Sequence, residues 1–135
     1  KVEDGEAPYE TARREVLEET GLVVEDLQLR GFCTEVSPNP DWMWFLFIFV
    51  TRRFHGTLKP DLREGELAWV PMSAYLASGR DEGCESDVSV VGSDRLPIPQ
   101  ADAIFAPYVL TVQDGLFQAK FSYDVDCKLV SWEMY

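Results

Sequence analysis

Between Arg14 and Gly21 the chain reads Arg-Glu-Val-Leu-Glu-Glu-Thr-Gly. On a helix Glu15 and Glu19 stand four residues apart and Glu15 and Glu18 three apart, so their carboxylates share one face. Like charges so placed weaken an isolated helix by about 0.2–0.5 kcal/mol per pair. Arg14 relieves part of that repulsion, and a cation would relieve the rest. Hard divalent ions take carboxylate oxygens, and magnesium prefers one or two of them together with substrate phosphates. The alternative is a solvated acidic helix face, the common fate of a glutamate run. The helix alone does not separate the two.

The elements that must carry these acids follow from local signals. Residues Pro8 to Thr20 read as a helix: Pro8 suits the first turn, acids follow, and Gly21 stands where a left-handed C-terminal cap is wanted. Val23–Leu29 and Gly31–Val36 read as short strands. Trp42–Thr51 is apolar on both alternating faces, which predicts a central strand covered on both sides. This places Trp42, Trp44 and Phe47 in a core or a pocket wall. His55-Gly56 predicts a turn, Glu66–Met72 a strand, and Ser73–Ala77 a short helical stretch. Residues 78–93 read as an exposed loop whose acids, Asp81 to Asp87, are solvated. Ala101–Val112 predicts a second long helix with Pro107 inside it, and Phe117–Tyr123 with Leu129–Met134 a hairpin. The pattern is mixed α+β, helices set against a sheet.

The spacing of the acidic stretch resembles the signature of the Nudix hydrolases, G-x5-E-x7-R-E-U-x-E-E-x-G-U with U bulky and apolar. Glu6, Arg14, Glu15, Val16, Glu18, Glu19, Gly21 and Leu22 fall on their required positions. Six of these are fixed types, each expected at about one position in twenty, which makes a chance match very rare. The opening glycine of the signature would stand just before Lys1. The resemblance implies an α/β/α sandwich with a mixed sheet, one domain over residues 1–135 with its signature in 1–22, whose N-terminal strands lie outside this chain. It implies that Glu15 and Glu19 bind magnesium or manganese with Glu18 assisting, that Arg14 orients a glutamate, and that Glu6 braces the loop against the helix. Glu64, five residues before Trp69, looks like the extra catalytic and metal-binding glutamate of the triphosphate-cleaving members, with Glu66 the second choice.

The C-terminal part, Phe105-Ala106-Pro107-Tyr108 and the tail from Phe117, is similar to oxidised-purine triphosphatases. There an acid ahead of the Phe-Pro-like segment reads the purine edge, and Asp102 falls near that place. The adjacent second acid is missing, since Ala101 occupies its position. Asp102 and Lys1 are the substrate-binding candidates. The implied reaction is hydrolysis of a nucleoside triphosphate, 8-oxo-dGTP among the candidates, to the monophosphate and pyrophosphate. The alternatives are a nucleotide sugar, ADP-ribose or a dinucleotide as substrate, or a non-catalytic nucleotide sensor.

Composition sets the outer bounds. The 135 residues carry 24 acids against 12 bases, a formal charge of −12 that argues against nucleic acid or an anionic membrane as partner. A small nucleotide remains compatible, provided a metal or local cations mask the repulsion. The three cysteines, Cys33, Cys84 and Cys127, are odd in number and widely spaced, so a reducing, cytoplasmic setting with buried thiols is expected. The longest apolar run is too short for a membrane helix. The Glu64 assignment is directly testable. Glu64→Ala is expected to slow turnover more than Glu66→Ala while both keep the parent's melting temperature. Steady-state kinetics and thermal melting check it; a fully active Glu64→Ala protein would make Glu64 a plain surface acid.

Overall fold

The computed structural model describes residues 1–39, 42–59, 67–78, 99–111 and 114–135. The expectations for Glu64, Glu66, Cys84 and the acids of 81–87 lie outside them. The described elements are α1 (Pro8–Thr20), β1 (Leu22–Val24), β2 (Gln28–Val36), β3 (Met43–Val50), β4 (Phe54–Gly56), α2 (Met72–Ser78), α3 (Gln100–Thr111), β5 (Phe117–Tyr123) and β6 (Leu129–Met134). The fold is mixed α+β, as expected, and its larger sheet is mixed, in the order β3-β2-β5-β6. No helix among the described residues is long and apolar enough to cross a membrane.

Two compact units divide the chain: residues 1–30 with 47–69, and residues 31–46 with 70–135. In the first, β1 pairs antiparallel with β4, joining Leu22 to Gly56 and Val24 to Phe54. Leu22 and Val24 turn inward and are buried. Asp26 ties the pair together, accepting from the Thr51 hydroxyl at 3.0 Å and the Arg53 amide at 3.1 Å.

In the second unit β2 and β5 run parallel, with Cys33 opposite Ala119 and Glu35 opposite Phe121. β5 then pairs antiparallel with β6. Alternation puts Phe117, Ala119 and Phe121 on one face, and all three are buried. α3 covers that face: Ala101, Ala106 and Val109 are buried, and the rings of Phe105 and Tyr108 pack on Phe117. The hairpin turn is fastened by the Asp124 carboxylate, which accepts from the amides of Asp126 and Lys128 at 2.9 Å each.

Several sequence expectations are corrected. Val23–Leu29 is not one strand, because the chain bends at Glu25-Asp26 between β1 and β2. Among the described residues β3 ends the strand order of its sheet, where a central place was expected, and Met43, Trp44, Phe45 and Phe47 are exposed. Two apolar faces mark a covered strand only when neighbours exist on both sides, a condition the strand's own residues cannot report. His55-Gly56 belongs to a strand, and residues 67–71 form none before α2 begins. Cys33 is buried but Cys127 is exposed, at a turn where its φ is 60°.

At Gly31 the backbones of β2 and β5 come close together. A Cβ there would meet the Phe117 carbonyl oxygen at 2.6 Å and the Phe117 Cβ at 2.7 Å. Neither is the end of a flexible chain, so β2 and β5 would have to part. Gly31→Ala is therefore expected to cost about 1–3 kcal/mol, the range for overpacked interiors. Denaturant unfolding measures it; an unchanged midpoint would mean the strands yield freely.

Candidate active site

α1 presents the signature. Its start is set by Pro8 and by Glu10, whose carboxylate accepts from the Ala7 amide at 2.8 Å and so satisfies an otherwise orphaned donor. Its end is set by Gly21 at φ 78°, whose amide donates to the Leu17 carbonyl. A Cβ at Gly21 would also strike the Thr57 carbonyl oxygen at 2.8 Å, so the position needs glycine twice over. Lys59 closes the same end. Its amide donates to the Thr20 carbonyl at 2.9 Å and its ammonium to the Leu17 carbonyl at 3.3 Å, a cation where the helix dipole is negative. Sequence reasoning did not single out Lys59; a cation near a helix end in space leaves no trace in local spacing.

Arg14 is the hub. Its Nε and Nη2 donate to the two oxygens of Glu6 at 2.7 and 2.9 Å, a bidentate pair, and Nη1 donates to Glu18 at 3.1 Å. Nη2 also reaches the Lys1 carbonyl at 3.1 Å. Glu6 accepts further from the buried Thr11 hydroxyl at 2.8 Å and the Glu3 amide at 3.2 Å. The loop of residues 1–6 is thus laced to the first two turns of α1. The Arg14 guanidinium, ahead of the Thr11 hydroxyl, holds the Glu6 carboxyl down at about 2. Arg14 is pushed up by the same carboxylate. This pair stays charged far below neutral pH: its contribution is complete above the ordinary carboxylate value and is lost only as pH falls toward 2.

The three signature acids receive different surroundings. Glu15 is half-buried, with Arg14 Nη2 3.8 Å from one of its oxygens. Glu18 is turned to Arg14. Glu19 is exposed and has no hydrogen-bond or ion-pair partner among the described residues. No three acidic, histidine or cysteine side chains converge on one point among the described residues. The donor chemistry nevertheless fits a hard divalent ion: accessible carboxylates one turn apart on a capped helix, with coordination left for water and substrate phosphates. Glu15 and Glu19 would hold it. Lys1 meets Arg14 through its backbone carbonyl.

Asp102 lies in the other unit, in the first turn of α3. Burial, then the charge of Glu35, pushes its carboxyl up to about 6. Glu35 itself accepts from the Tyr123 hydroxyl at 3.1 Å. Cys33 is pushed up to about 12 by burial and by both acids, and Tyr75 of α2 is raised by burial and by Asp102. Glu35 and Tyr123 were not singled out from sequence. The signal was an acid at the inward parity of β2, two residues after a buried cysteine.

The comparisons with known proteins agree with this geometry. The family model described as NUDIX domain matches residues 1–87. A Bacillus subtilis (strain 168) protein named as an uncharacterized Nudix hydrolase, YvcI, is 26% identical over 137 residues, spanning 99% of this chain and 75% of that protein. The crystal structure of a mutator MutT protein from Bacillus halodurans superposes with a TM-score of 0.79 at 28% identity, covering 99% of this chain and 77% of that one. With the signature helix, its capped ends and the Arg14–Glu6 pair in place, this chain belongs to the Nudix hydrolase family.

Proposed function

We propose that the chain is a divalent-metal-dependent pyrophosphohydrolase that cleaves a nucleoside triphosphate, with 8-oxo-dGTP the first substrate to try, into the nucleoside monophosphate and pyrophosphate. The observation that carries this reading is the acidic face of α1. Glu19 is exposed one turn on from the half-buried Glu15, and Arg14, 3.1 Å from Glu18 and 3.8 Å from Glu15, offsets part of their repulsion. The resemblance of Glu64 and of the C-terminal part to the triphosphate-cleaving members favours the triphosphate over the nucleotide sugar, ADP-ribose or dinucleotide.

Magnesium or manganese, held by Glu15 and Glu19, would screen phosphate charge and lower the pKa of a bound water. The chain's own residues do the rest. Arg14 fixes the loop and pairs with Glu18. Lys59 and Gly21 hold the end of α1 so that Glu19 keeps its place. Glu64 would add a carboxylate able to take a proton from the attacking water. Asp102 would meet the base through hydrogen bonds in its half-buried site. The substrate is a small nucleotide; the −12 charge disfavours long polyanions.

The test is hydrolysis of a nucleotide panel with magnesium, manganese and chelator. Activity is expected to vanish with chelator, and Glu19→Gln to lower kcat by about 10²–10⁴-fold with an unchanged melting temperature, as several kcal/mol of charge stabilisation is lost. Near-normal turnover by Glu19→Gln would remove Glu19 from the metal site. Cleavage confined to ADP-ribose or a nucleotide sugar would move the substrate assignment.

A further inference from the structure

Glu19 stands in the last turn of α1, so its direction depends on what holds that end of the helix. Part of the hold comes from far along the chain. Residues 57–59, which follow β4, fold back onto the helix end: the Lys59 amide donates to the Thr20 carbonyl at 2.9 Å and the Lys59 ammonium to the Leu17 carbonyl at 3.3 Å. The approach leaves no slack. A Cβ at Gly21 would meet the Thr57 carbonyl oxygen at 2.8 Å, and one at Gly56 would meet the Gly21 carbonyl oxygen at 2.7 Å. Where residues 57–59 fall is set by the β1–β4 register, with Leu22 opposite Gly56 and Val24 opposite Phe54. A slip of one residue there would carry the Lys59 amide about 3.3 Å along the strand from its partner.

Strands of three residues do not fix a register by themselves, since a lone two-stranded ribbon is marginal in water. Asp26 pins the far end of the ribbon. Its Oδ1 accepts from the Thr51 hydroxyl at 3.0 Å and from the Arg53 amide at 3.1 Å, and these two bonds fix the bend through which the chain enters β4. The links from Glu25 to Arg53 at 2.9 Å and to His55 at 3.1 Å are exposed ion pairs, a kind that contributes little. We infer that Asp26 is a positioning residue for the metal-binding end of α1. Through the β1–β4 register it seats residues 57–59 on the helix end, and so sets the direction of Glu19. This rests on the reading of Glu19 as a metal ligand.

The test uses the whole chain without nucleotide. Manganese binding is read by electron paramagnetic resonance, and amide hydrogen exchange is read without metal. Asp26→Ala is expected to loosen manganese binding by about tenfold and to speed exchange of the Gly21 and Lys59 amides, with α3 and β5 unchanged. Thr51→Val removes one of the two bonds and keeps the carboxylate; it should move both readouts the same way by less, and it decides the question even if Asp26→Ala fails to fold. Asp26→Asn keeps the accepting oxygen and loses the charge, so it should bring both readouts within about twofold of the wild type. Wild-type readouts in Thr51→Val, or in a folded Asp26→Ala, would overturn the inference. Equal loss in Asp26→Asn and Asp26→Ala would also overturn it, by making the effect one of charge. Unaltered manganese binding in Glu19→Gln would instead overturn the metal-site reading beneath it.

Discussion

The signature loop and the helix that follows it depend on one guanidinium. A helix carrying Glu15, Glu18 and Glu19 within five residues is at odds with itself, and so is a loop with Glu3, Asp4 and Glu6 packed beside it. Arg14 answers both, with a bidentate pair to Glu6, a third hydrogen bond to Glu18 and a fourth to the Lys1 carbonyl. The planar fork matters here, since a lysine ammonium has no geometry to hold two carboxylates and a carbonyl in fixed directions. Thr11 adds its hydroxyl from beneath, which is why a polar residue is buried in the helix. The loop is therefore fixed by charge-assisted hydrogen bonds, with little apolar burial of its own.

The two units use opposite electrostatics. On α1 Glu19 is exposed and Glu15 half-buried, and the proposed reading gives both to a cation. Around Asp102 the carboxylate is half-buried, raised by its setting and by a neighbour of like charge, and suited to hydrogen-bond recognition. On the proposed reading one chain keeps acids for two purposes, and burial separates them. A protein of net charge −12 that handles phosphates needs that separation.

Much of this was legible in the residues. The limits of α1 were, because Pro8 and Gly21 act through purely local geometry. The β5–β6 hairpin was also, since Asp124 fastens its own turn. Three things were not. The edge position of β3 depends on which strands become its neighbours, and Trp44 and Phe47 look the same in a covered strand. The short β1–β4 pair joins residues about 30 apart through Asp26 and Thr51, a pairing without local signal. The hydrogen bond from the Tyr123 hydroxyl to Glu35 follows from a parallel register across most of the chain. In each case the missing information is non-local.

The central claim is that Arg14 and Glu6 act as one unit in presenting the site. The most direct measurement is a double-mutant cycle on nucleotide hydrolysis, comparing Arg14→Ala, Glu6→Ala and the double variant by kcat/KM. If the pair works as a unit, each single change lowers the rate and the double variant is no slower than Arg14→Ala alone. If the two losses multiply in the double variant, Arg14 and Glu6 act independently, and the loop is held to the helix by something else.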